Sequence, residues 1–269
     1  MPPLGIAVLV FDRRGSGKSG GKPASGSYDV LADDGCAALK MLARDPQIDP
    51  RRIGFWGLSQ GGWIAILAAS RCPQTAFAIS ISAPMTTPAQ QMNFAVANIL
   101  RIHGYSQADI DQAVGARNAV DAFEHGRLDR ATAQKRLDAA AARPWFPLIY
   151  MGKTFHDPAH SSWPGEMWQN PLQWLSGDKA PTLILYGAKD PWVPVALSMK
   201  VLKARAARFT NITTEVVAGA DHDMMLSVSP KAQVDPHSLA DQAPDAPAYF
   251  ALLASWLTAH GIATAPGAH

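Results

Sequence analysis

The chain has 269 residues, with 24 basic and 22 acidic side chains, a formal net charge of +2 and 48% hydrophobic residues. That length suits one large domain or a domain with an insertion, and the apolar content suffices for a sizeable core. The scattered, nearly balanced charge gives no footprint for nucleic acid, and no apolar run approaches the roughly 20 residues of a membrane helix.

Taken in order, strand-like and helix-like runs alternate, which argues for an α/β architecture with a mostly parallel sheet. Residues 6–12 (IAVLVFD) form a continuous β-branched run ended by a charged, glycine-rich turn, the pattern of a buried strand. Residues 28–42 carry a helical apolar stripe with Asp29, Asp33 and Asp34 in the early turns. Residues 52–58 read as a second strand, 61–71 as a buried helix and 76–82 (AFAISIS) as a third strand. From residue 87 to residue 175 helical periodicity takes over, in segments 89–102, 106–124 and 129–142, followed by a Pro- and Trp-rich stretch. Strands resume at 181–186 (PTLILY) and 212–217, with helices at 194–207 and 247–260, and residues 261–269 read as a frayed tail. The expected organisation is a core of residues 1–86 and 176–260 interrupted by a helical cap of residues 87–175. Cys36 and Cys72 lack CxxC or Cys/His spacing, so they read as buried small hydrophobes in a reducing compartment. No charged-then-apolar leader opens the chain, and the expected location is cytoplasmic.

Gly57-Leu58-Ser59-Gln60-Gly61 matches G-x-S-x-G between a strand and a helix. A serine there occupies a strained turn that exposes its hydroxyl, with glycines on both sides letting the backbone bend. A helix starting at that point aims its first N–H groups at an oxyanion. A serine hydroxyl needs a base to take its proton and an acid to orient that base. Asp190, in Gly187-Ala188-Lys189-Asp190-Pro191, and His222, in Gly219-Ala220-Asp221-His222-Asp223, both follow predicted strands in the order serine, acid, histidine. The candidate catalytic residues are therefore Ser59, Asp190 and His222. His156 and His160 have the i, i+4 spacing of a metal pair, but Pro158 between them opposes the helix that would align them, and no metal is expected.

These residues resemble the α/β-hydrolase superfamily, close to its esterase and prolyl-oligopeptidase-like serine hydrolase branches. Asp12-Arg13-Arg14-Gly15-Ser16-Gly17-Lys18-Ser19 resembles the D-x-R-G-x-G-x-S turn after the fourth strand of that family, and Ile81-Ser82-Ala83-Pro84 its turn leading into a cap. The resemblance implies an α/β-hydrolase fold with an inserted helical cap, no cofactor, and the backbone N–H of Gln60 as an oxyanion donor. Family members carry about three strands before the D-x-R-G turn, and a His-Gly-type loop supplying a second donor; here the turn begins at residue 12. The expectation is thus a chain truncated at its N-terminus, in which residues 6–12 either pair directly with residues 52–58 or face a gap.

Rival motifs carry less. Gly17-Lys18-Ser19 suggests a P-loop, but Asp12 stands where that motif needs glycine and would repel a phosphate. Gly15-x-Gly17-x-x-Gly20 spells a dinucleotide fingerprint, yet the following Gly20-Gly21-Lys22-Pro23 is loop chemistry, not a helix start. The expected reaction is hydrolysis of a carboxylic ester of a small apolar substrate through an acyl-enzyme. The alternatives are a peptidase or aminopeptidase on short apolar peptides, and a catalytically impaired binding protein that retains the fold. Trp63, Trp192, Trp145, Trp163 and Trp168 are the candidate pocket aromatics, although packing within a small cap is the commoner use of such residues. The sequence does not reveal an oligomeric state.

Overall fold

The computed structural model describes residues 4–22, 27–155, 163–227, 229–235 and 243–263. Strands β1 (Phe55–Leu58), β2 (Ala78–Ile81), β3 (Thr182–Gly187) and β4 (Ile212–Val217) form a four-stranded parallel sheet in the order β1-β2-β3-β4. Helices α1 (Tyr28–Leu42) and α2 (Gln60–Arg71) flank β1 in sequence. Between β2 and β3 lie α3 (Pro88–Ile102), α4 (Gln107–Glu124), α5 (Arg130–Ala141), α6 (Trp163–Glu166) and α7 (Pro171–Gly177). Then come α8 (Val195–Lys203), α9 (Pro230–Val234) and α10 (Pro247–Ala259). No helix among the described residues is long and apolar enough to cross a membrane.

Strand β3 shows why the sheet is covered on both sides. All six of its residues are buried, as expected of a central parallel strand whose side chains alternate between faces. Leu183 and Leu185 join Ile79 and Ile81 of β2 against Tyr249, Leu253, Trp256 and Leu257 of α10. Ile184 and Tyr186 point the other way, into a cluster with Ile66 of α2, Leu202 of α8 and Leu175 of α7. Truncating a side chain buried as completely as Leu253 costs about 2–5 kcal/mol.

The helices between β2 and β3 have a hydrophobic cluster of their own, built on Val96, Leu100, Ile110, Leu137, Trp145 and Phe146. Their N-termini are capped by side chains: Thr87 forms a reciprocal capping box with Gln90, and Ser106 and Asp129 accept from the third helical N–H of α4 and α5. Such caps are worth about 1 kcal/mol each.

Three expectations are corrected. Residues 6–12 form no strand: Val8, Val10 and Phe11 are exposed, and β1 is the sheet edge among the described residues. A β-branched run becomes a strand only when a neighbour takes up its hydrogen bonds, and among the described residues no strand pairs with it. Cys36 and Cys72 are disulfide-bonded, with Cα atoms 5.9 Å apart, tying the middle of α1 to the end of α2. The reading of the cysteines as unpaired therefore falls, because α1 lies directly on α2, which brings two residues distant in sequence together. Disulfides persist in oxidising compartments, so the ground for the reducing-compartment expectation goes with it. Finally, Ile262 and Ala263 are buried against the α10 cluster and are not frayed; residues 264–269 lie outside the described residues, as do His156 and His160.

The turn after residue 12 is ordered by its own side chains. The Asp12 carboxylate accepts from the Lys18 N–H, the Asp12 carbonyl accepts from the Ser19 hydroxyl, and Arg14 pairs with Asp34 of α1. A Cβ on Gly17, whose φ is +52°, would lie 2.1 Å from an Asp12 carboxylate oxygen. The space that a phosphate would need in a nucleotide-binding loop is filled by a carboxylate, which excludes that reading on charge as well as on room.

Candidate active site

At the end of β1 the chain turns directly into α2, and Ser59 occupies the turn with φ +54° and ψ −119°. This is a left-handed conformation that a non-glycine residue adopts only where its surroundings hold it. Glycines on either side make the turn possible. A Cβ on Gly57 would lie 2.0 Å from the Gly61 carbonyl oxygen, and one on Gly62 would lie 2.7 Å from Ser80 Oγ and 2.8 Å from Ala83 Cβ. Although Ser59 is the N-cap of α2, its hydroxyl makes no capping bond and remains half-buried at the surface of the turn. Gln60 is the first residue of α2, so its N–H has no carbonyl four residues earlier within the helix and is directed outward with the positive end of the helix dipole.

Asp190 and His222 are brought together by the loops after β3 and β4. His222 Nδ1 lies 2.7 Å from Asp190 Oδ2, and the Asp190 side chain is fully buried. The other carboxylate oxygen accepts from the backbone N–H groups of Trp192 at 2.8 Å and Val193 at 3.1 Å, which fixes its orientation. The two loops approach closely because Gly187 ends β3: a Cβ there would lie 2.0 Å from the Asp221 carbonyl oxygen. Lys189 donates its N–H to the Ala220 carbonyl across the same gap. Burial alone would lower the His222 pKa, but the Asp190 hydrogen bond and charge, joined by Asp223 and Asp221, raise it above the ordinary imidazole value.

The end of β2 connects these parts. The Ser59 N–H donates to the Ile81 carbonyl at 2.7 Å, and the next residue, Ser82, donates its hydroxyl to the His222 carbonyl at 2.7 Å. Ser59 and His222 are thus anchored on consecutive residues of one strand end. No hydrogen bond joins the Ser59 hydroxyl to the His222 ring among the described residues; such bonds are often long without a substrate and tighten in the complex.

The structure separates the tryptophans. Trp63 is buried in α2, donates to the Pro84 carbonyl at 2.8 Å and stacks near Tyr28, with ring centroids 6.2 Å apart. Trp145 is completely buried in the helical cluster and donates to Asp109, so its role is packing and not lining a pocket. Trp168 is 46% exposed under the Arg127 guanidinium and donates to Asp121. It lines a cleft of about 420 Å³ with Asp29, Gln169, Asn170 and Trp174, a cleft that includes none of the three candidate catalytic residues. Trp163 begins α6 and is half-buried. Trp192 follows the acid by two residues: its N–H holds Asp190, and its ring meets Tyr150 edge-on at 5.5 Å.

Sequence reasoning missed two neighbours of the site. Tyr28, buried at the start of α1, interacts through its hydroxyl with the Gln60 side chain, and burial pushes its pKa up to about 12. On the other side of Gln60, Arg13 Nη1 reaches its Oε1 at 3.4 Å. Tyr28 had no motif to reveal it, and Arg13 fills a variable position of the Asp12–Ser19 turn; tertiary packing gathers both onto Gln60.

A family model described as serine aminopeptidase, S33, matches residues 3–227. The chain belongs to this family of α/β hydrolases. An uncharacterized protein of Mycobacterium tuberculosis (strain CDC 1551 / Oshkosh) is 32% identical over 160 residues, 58% of this chain and 55% of that protein. The chain thus spans about half the length of that relative. A polyketide transferase of Penicillium crustosum is 31% identical over 99 residues, covering 36% of this chain and 32% of the other. Among solved structures, an esterase of Pyrococcus furiosus is 17% identical, with a TM-score of 0.48 over 92% of this chain and 68% of that one.

Proposed function

We propose that the chain is a serine hydrolase cleaving a carboxylic ester of a small, apolar substrate. Ser59 attacks the carbonyl, His222 takes its proton and passes it to the leaving alcohol, and Asp190 holds the imidazole and balances its charge. The Gln60 N–H receives the developing oxyanion. Water then attacks the acyl-enzyme with His222 again as base, releasing the acid and restoring Ser59. The observation that carries this reading is the buried Asp190–His222 pair at 2.7 Å, tied to the same strand end as a left-handed serine at a strand-to-helix turn. Helices α3–α5 serve as a cap, and Trp192 and Trp163 as walls of the acyl pocket.

The second reading is an aminopeptidase, favoured by the description of the family model. Thioester substrates are a further variant of the same acyl chemistry, since a relative 33% identical over 78 residues is described as a thiohydrolase of Arthrinium phaeospermum. A fluorophosphonate probe tests the common core: the expected result is a single adduct on the Ser59 peptide, absent after His222→Ala. A folded chain that takes up no probe overturns the hydrolase reading. Turnover of p-nitrophenyl esters, matched anilides and thioesters then ranks the three substrate classes, and faster turnover of the anilide overturns the ester assignment.

A further inference from the structure

We propose that Ser82 is a positioning residue for His222, its hydroxyl holding the main chain of the histidine in register with the nucleophile turn. The inference rests on the hydrolase reading above. Ser82 follows β2 directly, is completely buried and has φ +52°, a left-handed conformation that serine adopts only under constraint. Three contacts supply the constraint. Its N–H donates to the Leu185 carbonyl of β3 at 2.8 Å, the strand that leads to Asp190; its Oγ donates to the His222 carbonyl at 2.7 Å; and its neighbour Ile81 accepts from the Ser59 N–H at 2.7 Å. One two-residue segment therefore touches all three catalytic branches.

The hydroxyl is the sensitive part. Among the described residues, the bond from Ser82 is the hydrogen bond that the His222 main chain makes. The rest of the loop is held elsewhere, by Lys189 on Ala220 and by the Asp221 carboxylate on the N–H groups of Asp223 and Met225. Removing the hydroxyl leaves that frame intact and frees the one residue whose ring must meet Ser59. A displacement on the order of 1 Å in such a site costs about a hundredfold in rate.

Two variants separate the hydroxyl from the backbone. Ser82→Ala keeps Cβ and removes only the hydroxyl, and Ser82→Gly accepts the φ of +52° but loses the whole CH2OH group. Both should behave alike. The expected result is a variant with wild-type far-ultraviolet circular dichroism and cooperative melting, in which fluorophosphonate labelling at Ser59 slows by about 10–100-fold. Ester kcat should fall with KM little changed, and the strongly downfield proton of the His222 Nδ1–Asp190 bond should broaden or vanish in the proton spectrum. A folded glycine variant with wild-type labelling rate, kcat and downfield proton overturns the proposal. So does one that fails to fold, since the hydroxyl is then a general structural bond. If the wild-type chain itself takes up no probe, the hydrolase reading fails alone, and the downfield proton still decides the Ser82 contact: lost in the variant it supports positioning, unchanged it overturns it.

Discussion

Asp190 is described by two sets of bonds, and together they define what His222 can do. One carboxylate oxygen is occupied by the Trp192 and Val193 N–H groups, leaving the other to face the imidazole. The imidazole is therefore held by Nδ1, with Nε2 left as the atom available to a nucleophile. Because Asp190, Asp223 and Asp221 outweigh the effect of burial, His222 gains a proton more readily than a free imidazole. A general base must be unprotonated, so the rate of ester hydrolysis should rise with pH, with its midpoint above the roughly 6.5 of ordinary histidine. Neutralising the exposed Asp223 by Asp223→Asn should move that midpoint down, measured as the pH profile of kcat/KM. An unchanged or higher midpoint would show that the Asp223 charge does not reach the ring. At this scale the candidates Ser59, Asp190 and His222 could be picked out because each stands beside a glycine-marked strand end, and the structure puts Asp190 and His222 in contact. Ser82 and Tyr28 could not, because buried contacts made across the sheet leave no local pattern.

Between elements, the disulfide does what no predicted pattern showed. It joins α1 to α2, residues 36 apart in sequence, beside the Arg71 ion pairs with Asp29 and Asp33. Closing a loop of that length should stabilise the fold by about 3–4 kcal/mol in the chain-entropy account. The paired variant Cys36→Ser/Cys72→Ser is therefore expected to melt on the order of 10 °C lower than the oxidised protein. Reductant should reproduce the drop in the wild type and leave the variant unmoved. An equal melting temperature in all samples would mean that helix packing alone holds α1 in place. The helices themselves were readable from periodicity and caps, as with the Ser27 cap of α1 and the Thr87–Gln90 box of α3. Their partners were not, since cysteine spacing carries no information on which helices lie side by side. The inserted helices also meet the acid loop: Gln91 and Asn98 of α3 donate to the Trp192 and Pro191 carbonyls, both at 2.8 Å.

For the whole molecule, alternation of strand and helix was enough to read a parallel α/β sheet, and the family match agrees with it. Residues 6–12 show where such reading stops. Their composition is that of a buried strand, but strand formation is a property of a pair, and the partner is settled by the sheet. The result is an apolar strip with Val8 at 69% and Val10 at 84% exposure, in a molecule whose edge strand β1 also bears Trp56 at 54%. Exposed apolar strips and unpaired edges favour association. Folded protein should bind anilinonaphthalene sulfonate and show concentration-dependent light scattering, and Val10→Lys with Trp56→Lys should suppress both. Weak dye binding and concentration-independent scattering would show that the strip is covered in solution.

The anchoring of the site on β2 has a consequence for the order in which the molecule comes apart. The amide protons of Ser59 and Ser82 are each locked onto a carbonyl of the neighbouring strand, Ile81 and Leu185, where the two inner strands of the sheet run out. Local fluctuations that open surface loops leave such protons in place, and only loss of the sheet releases them. In deuterated water these two amides should be among the last to exchange, at the rate of global unfolding, while the turn of residues 13–20 exchanges early. The nucleophile turn and the end of β2 would then persist as long as the sheet does, while the loops that carry Asp190 and His222 could open before it.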